Sequence, residues 1–184
     1  MAIKTFTTGE VLTAADTNTY LANSGLVYVA GTTFATTSTP FINGCFSSSF
    51  QNYRVVINIV GSAISNLRLR VRSGTSTPET GVVYDRWGFS VLAGVVTNET
   101  SSGQSSMFLG GYYSDEPTTY SFDLFQPNQT TRTNMMPYAW SSATGATYLM
   151  PGRITSNTAY TGIELFGDSG TLTGSMRVYG YRQA

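Results

Sequence analysis

Asn66-Leu67-Arg68-Leu69-Arg70-Val71-Arg72-Ser73 alternates apolar and polar side chains without a break. Successive side chains of an extended chain point to opposite faces, so Leu67, Leu69 and Val71 share one face and the three arginines share the other. A period of two requires a half-buried strand. Just ahead of it, Tyr53 to Val60 (YRVVINIV) is apolar enough to be buried on both sides, and the Gly61-Ser62 to Ser65-Asn66 segment supplies turn residues. This predicts a hairpin between the two runs. The last strand repeats the alternation, with Met176, Val178, Gly180 and Arg182 on one face and Arg177, Tyr179 and Tyr181 on the other.

Further strands are expected at Leu26–Ala30, Gly81–Tyr84, Phe89–Val96, Ser106–Tyr113, Thr118–Phe125, Met135–Ser141 and Gly162–Phe166. Thr32–Pro40 and Ser73–Gly81 read as exposed loops. No helical period is sustained beyond residue 26, and turn signals recur about every 8–12 residues. The expectation is an all-β chain: a single antiparallel β-sandwich, jelly-roll-like, over residues 26–184, preceded by an N-terminal arm with one short helix over residues 1–25.

The arm is built on a different plan. In Lys4 to Asn23 (KTFTTGEVLTAADTNTYLAN), Thr13 caps a turn in which Asp16 lies three residues on, Ala14 and Ala15 favour helix, and Ser24-Gly25 supplies a left-handed stop. One short helix cannot bury itself. Its sizeable apolar groups, Ile3, Phe6, Val11, Leu12, Tyr20 and Leu21, must find their core against the rest of the chain, a sister chain or a larger assembly.

At 184 residues the chain can bury one good core. Net charge is zero and only 11% of residues are charged, so no basic field exists to hold a phosphate backbone, and nucleic acid is not an expected partner. Nine of the ten cations are arginine, with Lys4 the exception, a bias suited to packed contacts. Cys45 is the one cysteine, which excludes an intrachain disulfide and a structural zinc cluster; it reads as a small buried hydrophobe. No apolar run approaches the roughly 20 residues of a membrane helix, and Met1-Ala2-Ile3-Lys4 lacks the apolar stretch of a secretory signal. No membrane partner and synthesis in the cytoplasm are expected.

The chain has no histidine, which removes the commonest acid–base group near neutral pH. Gly167-Asp168-Ser169-Gly170 copies the nucleophile motif of chymotrypsin-like proteases, but the serine has no base and the composition suits a tight turn. A two-carboxylate glycosidase would need a fixed pair from Asp85, Asp115, Glu116, Asp123 and Glu164, and the spacing fixes none. Asp85 beside Arg86 reads as a plain ion pair. No catalytic residue, metal ligand or cofactor is expected. Trp87, Tyr112, Tyr113 and Trp140 fall at strand ends, where rings either stack on a sugar or fill the core, and they are the candidate ligand contacts. Arg68, Arg70 and Arg72 form three like charges on one face that need neutralising neighbours, either local acids or a subunit interface.

Phe6-Thr7-Thr8-Gly9-Glu10-Val11-Leu12-Thr13-Ala14-Ala15-Asp16-Thr17-Asn18-Thr19-Tyr20-Leu21 resembles the N-terminal segment shared by many tailed-bacteriophage structural proteins, with its F-x-x-G-E-x-L-T-A-x-D-x-N pattern. The likeness is close over about the first thirty residues. It is looser beyond, through Phe50-Gln51-Asn52-Tyr53-Arg54 and Arg177-Val178-Tyr179-Gly180-Tyr181-Arg182. It implies a non-enzymatic virion component, often a homotrimer, whose Ile3, Phe6, Val11, Leu12, Tyr20 and Leu21 anchor it to another virion protein. Long fibres continue into extended shafts, which this chain lacks. A short tail fibre, minor tail protein, baseplate or collar appendage is the expectation, with capsid decoration on the head, or a receptor module for host surface glycan at a tail tip, as alternatives.

Overall fold

The computed structural model describes residues 7–11, 13–16, 25–74, 77–141 and 145–182. The described part of the arm contains a single helical turn, Ala14–Asp16. Before it, the Glu10 carboxylate accepts from the Thr7 backbone N–H at 3.1 Å. The anchoring candidates Ile3, Phe6, Leu12, Tyr20 and Leu21 lie outside the described residues, whereas Val11 is described and 78% exposed.

All other regular structure among the described residues is strand: β1 (Leu26–Thr37), β2 (Phe41–Ile42), β3 (Asn52–Gly61), β4 (Ser65–Ser73), β5 (Thr77–Pro78), β6 (Tyr84–Arg86), β7 (Phe89–Leu92), β8 (Val95–Asn98), β9 (Ser101–Gln104), β10 (Met107–Tyr112), β11 (Thr118–Phe125), β12 (Thr133–Ser141), β13 (Ala146–Leu149), β14 (Gly152–Ile154), β15 (Gly162–Gly167) and β16 (Leu172–Tyr181). They form two antiparallel sheets. The larger begins β1-β16-β3-β11 and the smaller runs β2-β15-β4-β10. Setting aside the segments inserted after β4 and β11, the chain changes sheet at every step except β4 to β10. That is the strand order of two Greek keys folded together, a jelly roll, as the sequence led one to expect.

The core lies between the sheets. Tyr53, Val55, Ile57 and Ile59 of β3, with Phe122 of β11 and Met176 and Val178 of β16, face Leu67, Leu69 and Val71 of β4 and Ile163 and Leu165 of β15, all buried. Each such aliphatic side chain contributes roughly 1.5–3 kcal/mol relative to exposure. The buried face of β4 is the one the alternation assigns, and of the two faces of β16 it is that of Met176 and Val178 that is buried.

Four expectations need correction. β3 and β4 do not form a hairpin; they lie in opposite sheets and meet across the core, with residues 62–64 turning the corner. An inter-sheet corner uses the same small polar residues as a hairpin turn, so composition does not separate them. Nor is β3 buried on both sides, since Arg54, Val56, Asn58 and Val60 face outward and are half-buried or exposed. The expected loop at Thr32–Pro40 is largely strand: β1 pairs with β16 as far as Thr37 opposite Leu172, with irregularities after Tyr28 and Phe34. Its threonines are β-branched, and their polarity suits a solvent-facing edge strand. Finally, Phe89–Val96 is not one strand. It bends at Ala93 (φ 48°) and Gly94 (φ 80°) into the β7–β8 hairpin, both central residues left-handed as a type I′ turn requires.

Beyond β11 the larger sheet continues through β12, β13, β7 and β8, with β14, β6 and β9 branching from β12. This extension wraps the outer edge of the smaller sheet. Met107, Phe108 and Leu109 of β10 are consequently buried on both faces. Gly110 (φ 143°) permits the wrap, because a side chain there would stand 3.0 Å from the Tyr148 ring of β13.

Candidate functional site

The wrapped edge creates a cleft of about 430 Å³ on the outer face of the smaller sheet. Its floor is Asn66 and Arg68 of β4 with Phe108 of β10, which pairs directly with Arg68. Its far wall is the β7–β8 hairpin, presenting Ser90, Leu92 and Thr97, and Tyr148 and Ala146 of β13 close one side. Ser90 lies opposite both Thr97 and Tyr148 in register, which puts these side chains on one face.

The ionic groups in this cleft are already matched. Arg86 of β6 lies over the Phe108 ring at 4.7 Å, donates to the Glu99 carbonyl at 3.3 Å and pairs with the Glu99 carboxylate at 3.6 Å. Ser90 Oγ donates to Glu99 Oε1 at 3.2 Å. Burial pushes the Arg86 guanidinium below the ordinary arginine range, partly offset by Glu99, while Arg68 adds to the push. Arg68 is held by Asp168 in the loop after β15, and Asn66 Nδ2 donates to the same carboxylate at 3.0 Å. Phe108 and Tyr148 meet edge to face at 5.8 Å. A second hollow of about 350 Å³, lined by Ile64, Ser65, Gly111, Tyr112 and Tyr113, shares Asn66 and Tyr148 with the cleft.

The arginine row is neutralised within the chain. Glu164 of β15 stands opposite Arg70 in register, pairs with it at 3.8 Å and also binds Arg72. Arg72 is 5% exposed, donates to Asn43 Oδ1 at 2.8 Å and stacks on Phe41 at 4.4 Å. Arg70 donates to the Ser105 carbonyl at 3.1 Å and stacks on Phe166 at 4.3 Å. Arg72, buried in its ion pair with Glu164 on the outer face of the smaller sheet, presents little to a sister subunit; Arg68 faces the cleft.

Of the four candidate aromatic contacts, Tyr112 and Tyr113 both line the second hollow, while Trp87 does not. Tyr112 is also largely buried in the core: its hydroxyl donates to the Ser169 carbonyl at 3.2 Å and its ring packs where Gly61 and Gly167 leave room. Trp87 is 43% exposed, with the Arg153 guanidinium 4.9 Å above its ring. Trp140 pairs through its backbone with Thr119 and Thr147, and its side chain lies outside the described residues. As sequence, Arg86 reads only as a partner of Asp85, and nothing marks Ser90, Thr97, Glu99 and Tyr148, because four strands and the β8–β9 connection supply these residues. Asp85 pairs with Arg153 at 3.1 Å instead of Arg86. Of the other carboxylates considered for catalysis, Asp123 is held by Nε and Nη2 of Arg54, each at 2.8 Å, and Glu164 by Arg70 and Arg72. Gly167-Asp168-Ser169-Gly170 forms the connection from β15 to β16.

A second surface stands out on the outer face of the larger sheet. Tyr138, Leu149 and Phe89 are register partners across β12, β13 and β7, and Val91 and Val96 follow in the next row. With Met136, two residues before Tyr138, they make an uncharged strip in which Met136 and Tyr138 are each 55% exposed and Val96 is 66% exposed.

No family model and no curated protein matches the chain. Among solved structures, a galectin of Caenorhabditis elegans is 15% identical over 80% of this chain and 94% of its own, with a TM-score of 0.37. A protein of unknown function from Shewanella oneidensis is 12% identical over 96% and 97%, with a TM-score of 0.29. A β-fructofuranosidase of Schwanniomyces occidentalis, solved with fructosyl-erythritol, is 10% identical over 86% of this chain and 34% of its own, at 0.34. At such TM-scores the likenesses carry no weight, and the jelly roll stands on the strand order of the chain itself.

Proposed function

We propose that this chain is a non-enzymatic structural protein of a tailed-bacteriophage virion: a short tail-fibre, baseplate or collar appendage, or alternatively a decoration of the head. Residues 1–25 attach it to a neighbouring virion protein, and the jelly-roll body associates with copies of itself, as a homotrimer in keeping with the N-terminal resemblance. The observation that carries the self-association is the strip Met136, Tyr138, Leu149, Phe89, Val91 and Val96. It has no charge to repel its own image, and exposed aromatic and aliphatic side chains set contiguously on one sheet face mark an interaction surface. The exposure of Val11, in the segment that carries the resemblance, supports an arm that gains its burial elsewhere.

Deleting residues 2–24 tests the attachment. A folded body that no longer enters particles is the expected result, and normal incorporation refutes the anchoring role. Copies per particle separate the two locations: hundreds indicate the head shell, a few to a few dozen the tail or neck.

A further inference from the structure

We infer that the cleft between β4, β10 and the β7–β8 hairpin binds a neutral oligosaccharide, a role that goes beyond structural assembly and does not depend on it. The first argument is charge. Each guanidinium in the cleft has its own carboxylate, Arg68 with Asp168 and Arg86 with Glu99. An acidic ligand would have to displace one of these partners. A hydroxyl can instead donate to a carboxylate oxygen or accept from a guanidinium already held in place, and such charge-assisted hydrogen bonds are the stronger kind.

The second argument is the distribution of polar and apolar groups. Ser90, Thr97 and Glu99 supply polar groups, and Leu92 on the same hairpin wall and Tyr148 beside it supply carbon surface for the C–H face of a pyranose ring. A few fixed polar groups on a partly apolar wall are the usual make-up of a small-ligand site. The fixing is visible here, since Glu99 is held by both Arg86 and Ser90 and Asn66 by Asp168. Shape supplies the third argument. Asn66 and Tyr148 line both the main cleft of about 430 Å³ and the second hollow of about 350 Å³, so a ligand seated in the cleft lies beside a second hollow that a further sugar residue can occupy.

The test presents the labelled full-length chain to a printed array of neutral and acidic glycans, then titrates the best neutral oligosaccharide by calorimetry against wild type, Thr97→Trp and Glu99→Gln. Thr97 is exposed on the hairpin, so the indole fills the cleft without entering the core. Glu99→Gln keeps the shape and removes the charge. Neutral glycans should bind, Thr97→Trp should weaken binding about tenfold or more, and Glu99→Gln should weaken it severalfold, with thermal midpoints unchanged in Thr97→Trp. An array silent to neutral glycans, binding confined to acidic glycans, or a Thr97→Trp variant that binds like wild type would each overturn the assignment. None of these results touches the assembly reading, which is judged on particles.

Discussion

Replacing Glu164 by glutamine keeps the shape of the side chain and leaves two guanidiniums without their carboxylate. Arg72 suffers most, because it is 5% exposed and Glu164 is 6% exposed, so solvent cannot replace the lost charge. Removing one partner of a buried ion pair costs about 3–5 kcal/mol. Asn43 Oδ1 at 2.8 Å and the Phe41 ring at 4.4 Å still hold Arg72, which places E164Q at the lower end, about 3 kcal/mol. For a chain of this length that corresponds to a fall of about 6–12 °C in Tm. Urea denaturation followed by tryptophan fluorescence, with calorimetry for Tm, measures it. A double-mutant cycle with R72M isolates the pair, and a coupling of about 2 kcal/mol or more is expected. A loss in E164Q of under about 1 kcal/mol, or a coupling near zero, would mean that the arginine row is solvated and that this account of its neutralisation is mistaken.

Acid should weaken the loop after β15. Hydrogen bonds from Arg68 hold the Asp168 carboxyl below its ordinary value of 3.8, against a smaller opposing effect of burial and with help from Asn66. A carboxyl depressed in the folded state contributes stability that is complete above the unfolded value and is lost as pH falls through the native one. The difference in urea midpoint between wild type and D168N should therefore be constant above about pH 5 and narrow below about pH 4. Cys45, fully buried, has its thiol pushed up to about 12 by burial. It should resist a thiol reagent at pH 8 in the native protein and react promptly in denaturant; equal rates would contradict its burial. At the β7–β8 turn, A93N should raise stability by about 0.5–1 kcal/mol in the same urea assay, because asparagine tolerates the left-handed conformation that Ala93 is forced to adopt. A lower midpoint would argue against the type I′ turn.

The fold was legible wherever one side of a strand meets the core and the other meets solvent. β4 and β16 announce themselves by alternation, and β4 buries the face that the pattern assigns to the core. What sequence periodicity does not carry is which strand lies beside which. Ser62–Ile64 turns from one sheet to the other with residues that would equally close a hairpin, so β3 and β4 were expected to pair and do not. Short strands escaped for a related reason: β2, β5 and β14 have two or three residues each, too few to display a period. The cleft was hidden more deeply. Arg86 and Glu99 lie thirteen positions apart on the wrapped extension, and their meeting depends on β6 and β9 being drawn together over β10. The conspicuous aromatics led only to the neighbouring hollow, which Tyr112 and Tyr113 line, and Tyr112 is largely buried because Gly61 and Gly167 make room for its ring.

Self-association through the outer strip is the physical core of the proposed role, and sedimentation equilibrium of the full-length chain tests it most directly. The account predicts a species of three times the 19.8 kDa protomer mass, reduced to single chains by Tyr138→Lys, which sets a charge in the middle of the strip. A wild-type chain that sediments at 19.8 kDa across the whole concentration range would contradict it.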